Sequence, residues 1–396
     1  MIKPSHAMNM LSSSKGMGLY IHIPFCASKC AYCDFLSFEG MGEGVQSRYV
    51  DSLILEMQAA MDVLDAVVDT VYIGGGTPTT LPSPLLCEIL REVQRFNLAP
   101  DAEITLEMNP CTNPAAMLSD YKNHGVNRLS IGLQAWQDHM LAGLKRIHTA
   151  DDFSQTMQTA RAADIDNINV DLMFALPGQT MDDWRESIAQ VIAHGPEHVS
   201  AYSLTPAAGT PLWDGLEAGR IHLPDEAVDR AMYHEAIKML AAAGYGHYEL
   251  SNFALPGRES RHNIDCWRRK PYRGFGLGAH SFDGLARWRN TLEMGRYLSC
   301  SPSLRAKRSN PDCYRDDVEI LSQRDAMAET MILGLRMTDG VNPQDFYHAF
   351  GVSLRDCYGA ELETLVSKGL LINTAERVAL TPLGLDLANQ VFAAFL

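Results

Sequence analysis

The 396-residue sequence predicts an α/β chain: a partial (β/α)6 barrel followed by a C-terminal winged-helix-like domain. Three observations predict it. Short β-rich runs alternate with amphipathic helical stretches from residue 18 to about 205, polar motifs collect at the C-terminal ends of those runs, and the tail orders its elements as helices followed by a wing.

The expected strands are Leu19–Ile23, Thr70–Ile73, Glu103–Glu107, Arg128–Gly132, Asn167–Asp171 and His198–Tyr202. Helical patterns fill the gaps at Val45–Leu64, Ser83–Phe96, Pro114–Asn123, Ala150–Ala163 and Met181–His194. Six β–α repeats imply a parallel sheet with right-handed crossovers, either a partial barrel or a doubly wound sheet. Gly74–Thr77, Glu107, Gln134 and Asp171 fall at or just past successive strand ends, where a barrel builds its site, and this favours the barrel.

Residues 224–244 read as a further helix, and a Gly- and aromatic-rich stretch follows over 245–297. Ser299 to Asp317 has no hydrophobic period and reads as a linker or insertion, its four basic residues belonging to a solvated loop. In the tail, helices are expected at Ser322–Leu335, Pro343–Phe350, Leu354–Lys368 and Pro382–Phe395, with a β wing at 369–372 and 378–381. The expected organisation is an N-terminal extension (1–17), a barrel (18–245), a connecting region (246–298), a linker or insertion (299–317) and the winged-helix-like module (318–396). The helix that would read DNA carries Asp356, Glu361 and Glu363 against Arg355 and Lys368, so the module is read as a packing unit.

Composition narrows the function. A net charge of −15 disfavours a nucleic-acid partner. No apolar run reaches the roughly 18 residues that span a bilayer, and the first 17 residues are polar, so the expected location is the cytoplasm. Nine cysteines, an odd number, point to metal binding or free thiols rather than a disulfide framework.

Three of those cysteines carry most of the functional signal. Cys26, Cys30 and Cys33, spaced C-x3-C-x2-C just after an apolar strand, can hold three corners of a cubane iron–sulfur cluster and leave the fourth iron open to a small molecule. The alternatives are reduced cysteines in a turn, or a zinc site borrowing a remote ligand. His22, in the preceding strand, is expected to be packed or hydrogen-bonded. Gly74-Gly75-Gly76-Thr77-Pro78-Thr79 follows the next strand, and its glycines let the backbone approach an amino-acid moiety closely. Glu107, Gln134, Arg146 and Asp171 add acceptors for an ammonium and for ribose hydroxyls, and a guanidinium for a carboxylate.

The runs Tyr20-Ile-His-Ile-Pro-Phe-Cys26, Gly74–Thr79, Ile131-Gly-Leu-Gln134, Leu144-Lys-Arg-Ile-His148 and Asp171-Leu-Met-Phe-Ala-Leu-Pro-Gly-Gln-Thr180 resemble the oxygen-independent coproporphyrinogen III oxidase group of radical S-adenosylmethionine (SAM) proteins. The resemblance covers roughly residues 18–396. It implies a [4Fe-4S] cluster on the three cysteines, with SAM chelating the open iron. It also implies SAM contacts from Tyr20, Tyr32, Gly75, Gly76, Thr77, Glu107, Gln134, Arg146, Asp171 and Thr205.

Two branches of that group differ at the cysteine loop. The oxidases have a fourth cysteine two places after the third and a longer N-terminal segment. Here that place is Phe35, and 25 residues precede Cys26. Both features resemble the HemW family, understood as heme chaperones, and imply heme as a third cofactor with heme-accepting proteins, such as respiratory enzymes, as partners. A homodimer and a peripheral membrane contact are compatible with that picture. The alternative is the oxidase activity itself, in which SAM is cleaved reductively.

Arg261-His-Asn-Ile-Asp-Cys-Trp267 is similar to the family pattern H-N-x-x-Y-W, whose His is a proposed heme-iron ligand and corresponds to His262, so the connecting region 246–298 is also the expected heme-site region. Cys266 stands where the family has Tyr. It is either a small buried substitute or a second, thiolate ligand to the heme iron. His280 suits either a tight turn or a ligand.

Overall fold

The computed structural model describes residues 16–110, 115–299 and 314–396. Among these, twelve strands form one sheet. They are β1 (Met17–Ile23), β2 (Val68–Gly75), β3 (Leu98–Met108), β4 (Arg128–Gln134), β5 (Ile168–Phe174), β6 (His198–Ser203), β7 (Gly246–Glu249), β8 (Asn252–Ala254), β9 (Tyr272–Phe275), β10 (His280–Phe282), β11 (Ala286–Asn290) and β12 (Arg315–Ile320). The order is β12-β11-β10-β9-β1-β2-β3-β4-β5-β6-β8-β7. β1 to β6 run parallel in sequence order, β9 joins β1 in parallel from the other side, and the outer strands are antiparallel.

All six expected parallel strands form, and β9 is a seventh. It comes from the stretch 246–298, expected to be connecting chain, which instead supplies five strands of the sheet. These strands are three to five residues long and interrupted by glycine, so they carry no readable period. Gly274 shows why glycine is needed: a Cβ there would meet the His280 carbonyl oxygen at 2.1 Å.

Each parallel strand alternates in character. Leu19, Ile21, Ile23, Val71 and Ile73 are fully buried in the main hydrophobic core shared with the covering helices. Burial of each such side chain contributes about 1.5–3 kcal/mol. The alternate positions, Tyr20, Tyr72, Glu107, Ser130, Asp171 and Tyr202, face the inside of the curved sheet, where Tyr72 bonds Glu107, Ser130 bonds Asp171, Tyr202 bonds Gln134, and Tyr20 stacks on Tyr72. A period of two therefore produces one oily face and one polar lumen.

The helices follow local signals. The segment Met181–His194 starts at Thr180, whose hydroxyl accepts from the Asp183 N–H while Asp183 reaches back to the Thr180 N–H. It ends at Gly195 in the left-handed region, φ 61°. Trp184, Ile188 and Val191, at i, i+4 and i+7, form its buried face. The helix Ala150–Ala162 repeats the same capping box at Thr149 and Asp152.

The expected linker 299–317 falls largely on 300–313, outside the described residues. Its first residue closes the helix Met294–Ser299, and Arg315–Asp317 open β12, so its two ends belong to regular elements. The extension 1–17 likewise falls outside except for Gly16 and Met17, which opens β1.

A second hydrophobic cluster is built by helices Gln323–Gly334, Pro343–Phe350 and Leu354–Ser367, with the wing Leu371–Asn373 and Val378–Leu380. The last expected helix, Pro382–Phe395, is in fact two: Leu387, at φ −114° and ψ 26°, separates Pro382–Asp386 from Ala388–Ala393. Backbone bonds from Leu250 to Arg336 and from Thr338 to Tyr248 seat this cluster on the β7 edge. No helix among the described residues is long and apolar enough to cross a membrane.

Candidate functional site

The cysteine loop sits at the C-terminal end of β1. Phe25–Cys26 pairs with Phe38–Glu39, closing the loop at its base. The Lys29 N–H donates to Glu39 (2.8 Å), the Ala31 N–H to the Leu144 carbonyl (3.0 Å), and the Leu212 N–H to the Ala31 carbonyl (2.9 Å). His22 is hydrogen-bonded, as expected: its Nε2 donates to the Leu36 carbonyl (2.9 Å) and its Nδ1 accepts from the Tyr20 hydroxyl (3.0 Å). A lumen residue thereby fastens the far end of the loop.

Cys26, Cys30 and Cys33 are free and half-buried. Burial pushes the Cys26 and Cys33 thiols up from their ordinary pKa, so binding a metal there must release protons. The groups facing the sulfurs include Arg146, whose Nη1 donates to Cys30 Sγ (3.3 Å), the Thr77 hydroxyl, which points to Cys26 Sγ (3.9 Å), and the side chains of Ser37 at Cys26 and Tyr32 at Cys30. Among the described residues, no trio of His, Cys, Asp and Glu side chains is gathered to hold one metal ion. A cubane makes no such demand, because each thiolate binds a different iron. The donor set, three thiols of one loop with a cation and hydroxyls turned on them, fits that group.

Beside the loop lies the glycine cradle. A Cβ on Gly74 would strike the Glu107 carboxyl at 2.6 Å, on Gly75 the His22 ring at 2.5 Å, and on Gly76 the Phe25 carbonyl oxygen at 2.6 Å. Gly75 also sits at φ +116°, a region open to glycine. The cradle is thus a place where only backbone fits, as the close approach of a ligand requires.

Across from it stand the acceptors. Glu107 accepts from the Tyr72 hydroxyl (2.8 Å) and the Gly75 N–H (3.0 Å), and burial raises its carboxyl to about 7. Asp171 accepts from Asn169 (2.7 Å) and Ser130 (3.4 Å), and burial raises it too, with Arg128 opposing. Gln134 accepts from the Tyr202 hydroxyl (3.0 Å) and holds a left-handed backbone, φ 74°, at the end of β4. Tyr32 packs half-buried on the cluster around Leu144 and Met173. Thr205 lies exposed just past β6.

The structure does not bring His262 to this mouth. It lies on the helix Arg261–Trp267, 6% exposed, with its Nδ1 bonded to Thr70 Oγ1 (2.9 Å) and its backbone N–H to Glu103 (3.1 Å). Thr70 is near the start of β2 and Gly75 at its end, roughly 16 Å apart at the rise of a strand. Cys266, on the same helix, has its thiol pushed up to about 12 by burial and by Asp265. Ligation by its sulfur would have to expel that proton, as at Cys26 and Cys33. His280 is exposed, on β10.

Sequence reasoning missed three members of the site. Tyr72 and Tyr202 hold Glu107 and Gln134; their period-two placement on β2 and β6 was the available signal. Asn109 bonds Thr77 (2.8 Å) and Arg146 (2.5 Å), and nothing in its neighbourhood in the chain announces either partner.

Comparison with known proteins accords with this geometry. The radical SAM superfamily model matches residues 20–191, and the HemN C-terminal domain model matches residues 321–387. The chain is 37% identical over 385 residues to the heme chaperone HemW of Bacillus subtilis, covering 95% of this chain and 98% of that protein. The chain belongs to the HemW family. Escherichia coli HemW is 33% identical over 389 residues, with 96% of this chain and 98% of that protein covered. Among solved structures, the radical SAM enzyme coproporphyrinogen III oxidase (HemN) of E. coli shares the fold, with a TM-score of 0.82 at 21% identity over 96% of this chain and 90% of that one. The HemW family and the oxidase thus share an architecture, which leaves the chemistry to the residues of the site.

Proposed function

We propose that this protein is a heme chaperone that holds a [4Fe-4S] cluster on Cys26, Cys30 and Cys33, binds SAM in the Gly74–Thr77 cradle, and passes heme to acceptor proteins. The observation that carries the reading is the convergence, at one end of the lumen, of three thiols, a glycine cradle and the carboxylates Glu107 and Asp171, in a chain matched over its length by heme chaperones.

In this reading Glu107 and Asp171 accept from the ammonium and ribose hydroxyls of SAM, Gln134 supports them, and Arg146 lies within reach of the carboxylate. Tyr20, Tyr32 and Thr77 wall the site, and Thr205 closes it from the solvent side. Bound there, the cluster and SAM supply one-electron chemistry. Phe35, 64% exposed, occupies the place of the fourth cysteine of the oxidases and supports the chaperone assignment.

Heme ligation is assigned to His262 and not to Cys266. Burial holds the imidazole down to about 4, so it is neutral at physiological pH, the form that binds iron. Its ring is packed under β2, so ligation requires the helix Arg261–Trp267 to move outward. A reducing, cytoplasmic setting suits the six free cysteines among the described residues.

The test is a pair of anaerobic assays on the reconstituted full chain with SAM and dithionite, one with heme and one with coproporphyrinogen. Heme binding without conversion of coproporphyrinogen is expected; sustained turnover to protoporphyrinogen overturns the reading.

A further inference from the structure

The Arg146 guanidinium is held at three points. Nη2 donates to Asn109 Oδ1 (2.5 Å) and to the Gly132 carbonyl (2.6 Å), and Nη1 donates to Cys30 Sγ (3.3 Å). Asn109 is itself oriented, because its amide nitrogen donates to Thr77 Oγ1 (2.8 Å), the hydroxyl that faces Cys26. One amide thus joins two side chains aimed at two different cluster-loop sulfurs. Its carbonyl end takes Arg146 and its amino end takes Thr77, so the two ends of Asn109 cannot be exchanged.

The strand beneath is shaped for this seat. A Cβ on Gly132 would stand 2.9 Å from Gln134 Nε2, 3.1 Å from Arg146 Nη2 and 3.2 Å from Asn109 Oδ1, so a side chain at 132 would press on all three groups. The guanidinium is a rigid planar fork, and fixing two of its nitrogens fixes the direction of every N–H.

We propose that Asn109 is a positioning residue that locks Arg146 against the Cys30 sulfur and couples it to Thr77 at Cys26. The inference rests on the cluster reading of the previous subsection. An N–H donor and a positive charge at a ligating sulfur stabilise the more negative, reduced state of an iron–sulfur cluster, so this seat raises the cluster potential. It also aims the guanidinium at the cradle where a SAM carboxylate would lie.

The test uses the full chain, reconstituted anaerobically, as wild type, Asn109→Ala, Asn109→Leu, Arg146→Lys and the Asn109→Ala/Arg146→Lys double variant. Iron and sulfide content, the cluster reduction potential and the SAM dissociation constant are measured on each. With all three cysteines intact, the variants are expected to keep wild-type iron content. Asn109→Ala and Asn109→Leu shift the potential to more negative values and weaken SAM about tenfold, the scale of one misplaced hydrogen bond to a charged group. In the Arg146→Lys background, Asn109→Ala adds little, because Asn109 acts through that guanidinium.

An Asn109→Ala protein with full iron content and wild-type potential and SAM affinity overturns the proposal. Should that variant fail to fold, Asn109→Leu carries the same decision, since it keeps the volume and removes both amide ends. A wild-type chain that takes up no cluster contradicts the proposed function instead, so the two failures are told apart.

Discussion

The imidazole of His262 lies against the phenol ring of Tyr72, 5.3 Å between ring centres, and the hydroxyl of Tyr72 donates to Glu107. A single lumen side chain therefore touches both the helix Arg261–Trp267 below the sheet and the carboxylate at its mouth.

Removing that ring exposes what it does. His262→Ala leaves Thr70 without its partner and opens the Tyr72 face, at a cost of about 1–3 kcal/mol in denaturant unfolding. The variant is also expected to lose the heme Soret band while keeping wild-type non-heme iron content. Its folded pKa of about 4 lies below the ordinary 6.5. The stability this gives is present above pH 6.5 and is lost as pH falls through 4, so acid unfolding of the wild type is steeper than that of the variant.

Glu107 works in the opposite direction. Its folded pKa, about 7 against 4.5, gives stability that is full below pH 4.5 and lost as pH rises through 7. A ligand ammonium needs the charged carboxylate, so SAM affinity falls below pH 7, by up to about tenfold per pH unit. Glu107→Gln is expected to bind weakly with a flat profile; calorimetric titration from pH 5.5 to 8.5 compares the two proteins.

Gly76→Ala places a methyl against the Phe25 backbone, which cannot swing aside as a side chain could. A loss of about 1–3 kcal/mol in stability is expected from the overpacking. Thermal unfolding of the metal-free chain reads it without any contribution from cofactors.

Cys266→Ser tests the ligand choice at the other end. Ligation by Cys266 would have to expel a proton held up to about 12, whereas His262 is already neutral, and the variant is expected to bind heme with wild-type affinity and an unchanged Soret maximum. A displaced Soret band would assign the sulfur to iron.

Much of this was legible in the sequence because it is local. Leu19–Ile23 and Thr70–Ile73 show their strand character in five or fewer residues, and Thr180 with Asp183 announces a helix start within one turn. Gly74, Glu107 and Gln134 could be assembled at one mouth because strand ends in a parallel sheet share an edge, whereas Asp171, expected at a strand end, lies mid-strand in β5 with three more residues after it. What stayed hidden depends on tertiary approach. Asn109 meets Arg146 across 37 positions, and His262 meets Thr70 across 192. Tyr272–Phe275 joins β1 through a pairing that four residues cannot signal.

The central claim is that three thiols of one loop hold a cluster in a protein that carries heme. It is tested most directly by following the Soret band when the heme-loaded, anaerobically reconstituted chain meets an apo heme-acceptor protein. The account predicts that heme leaves the chain for the acceptor, and that a Cys26→Ala/Cys30→Ala/Cys33→Ala chain lacks the cubane absorbance and iron of the wild type in the same preparation. A chain that binds no heme, or a triple variant that keeps its cubane absorbance and iron, would contradict it.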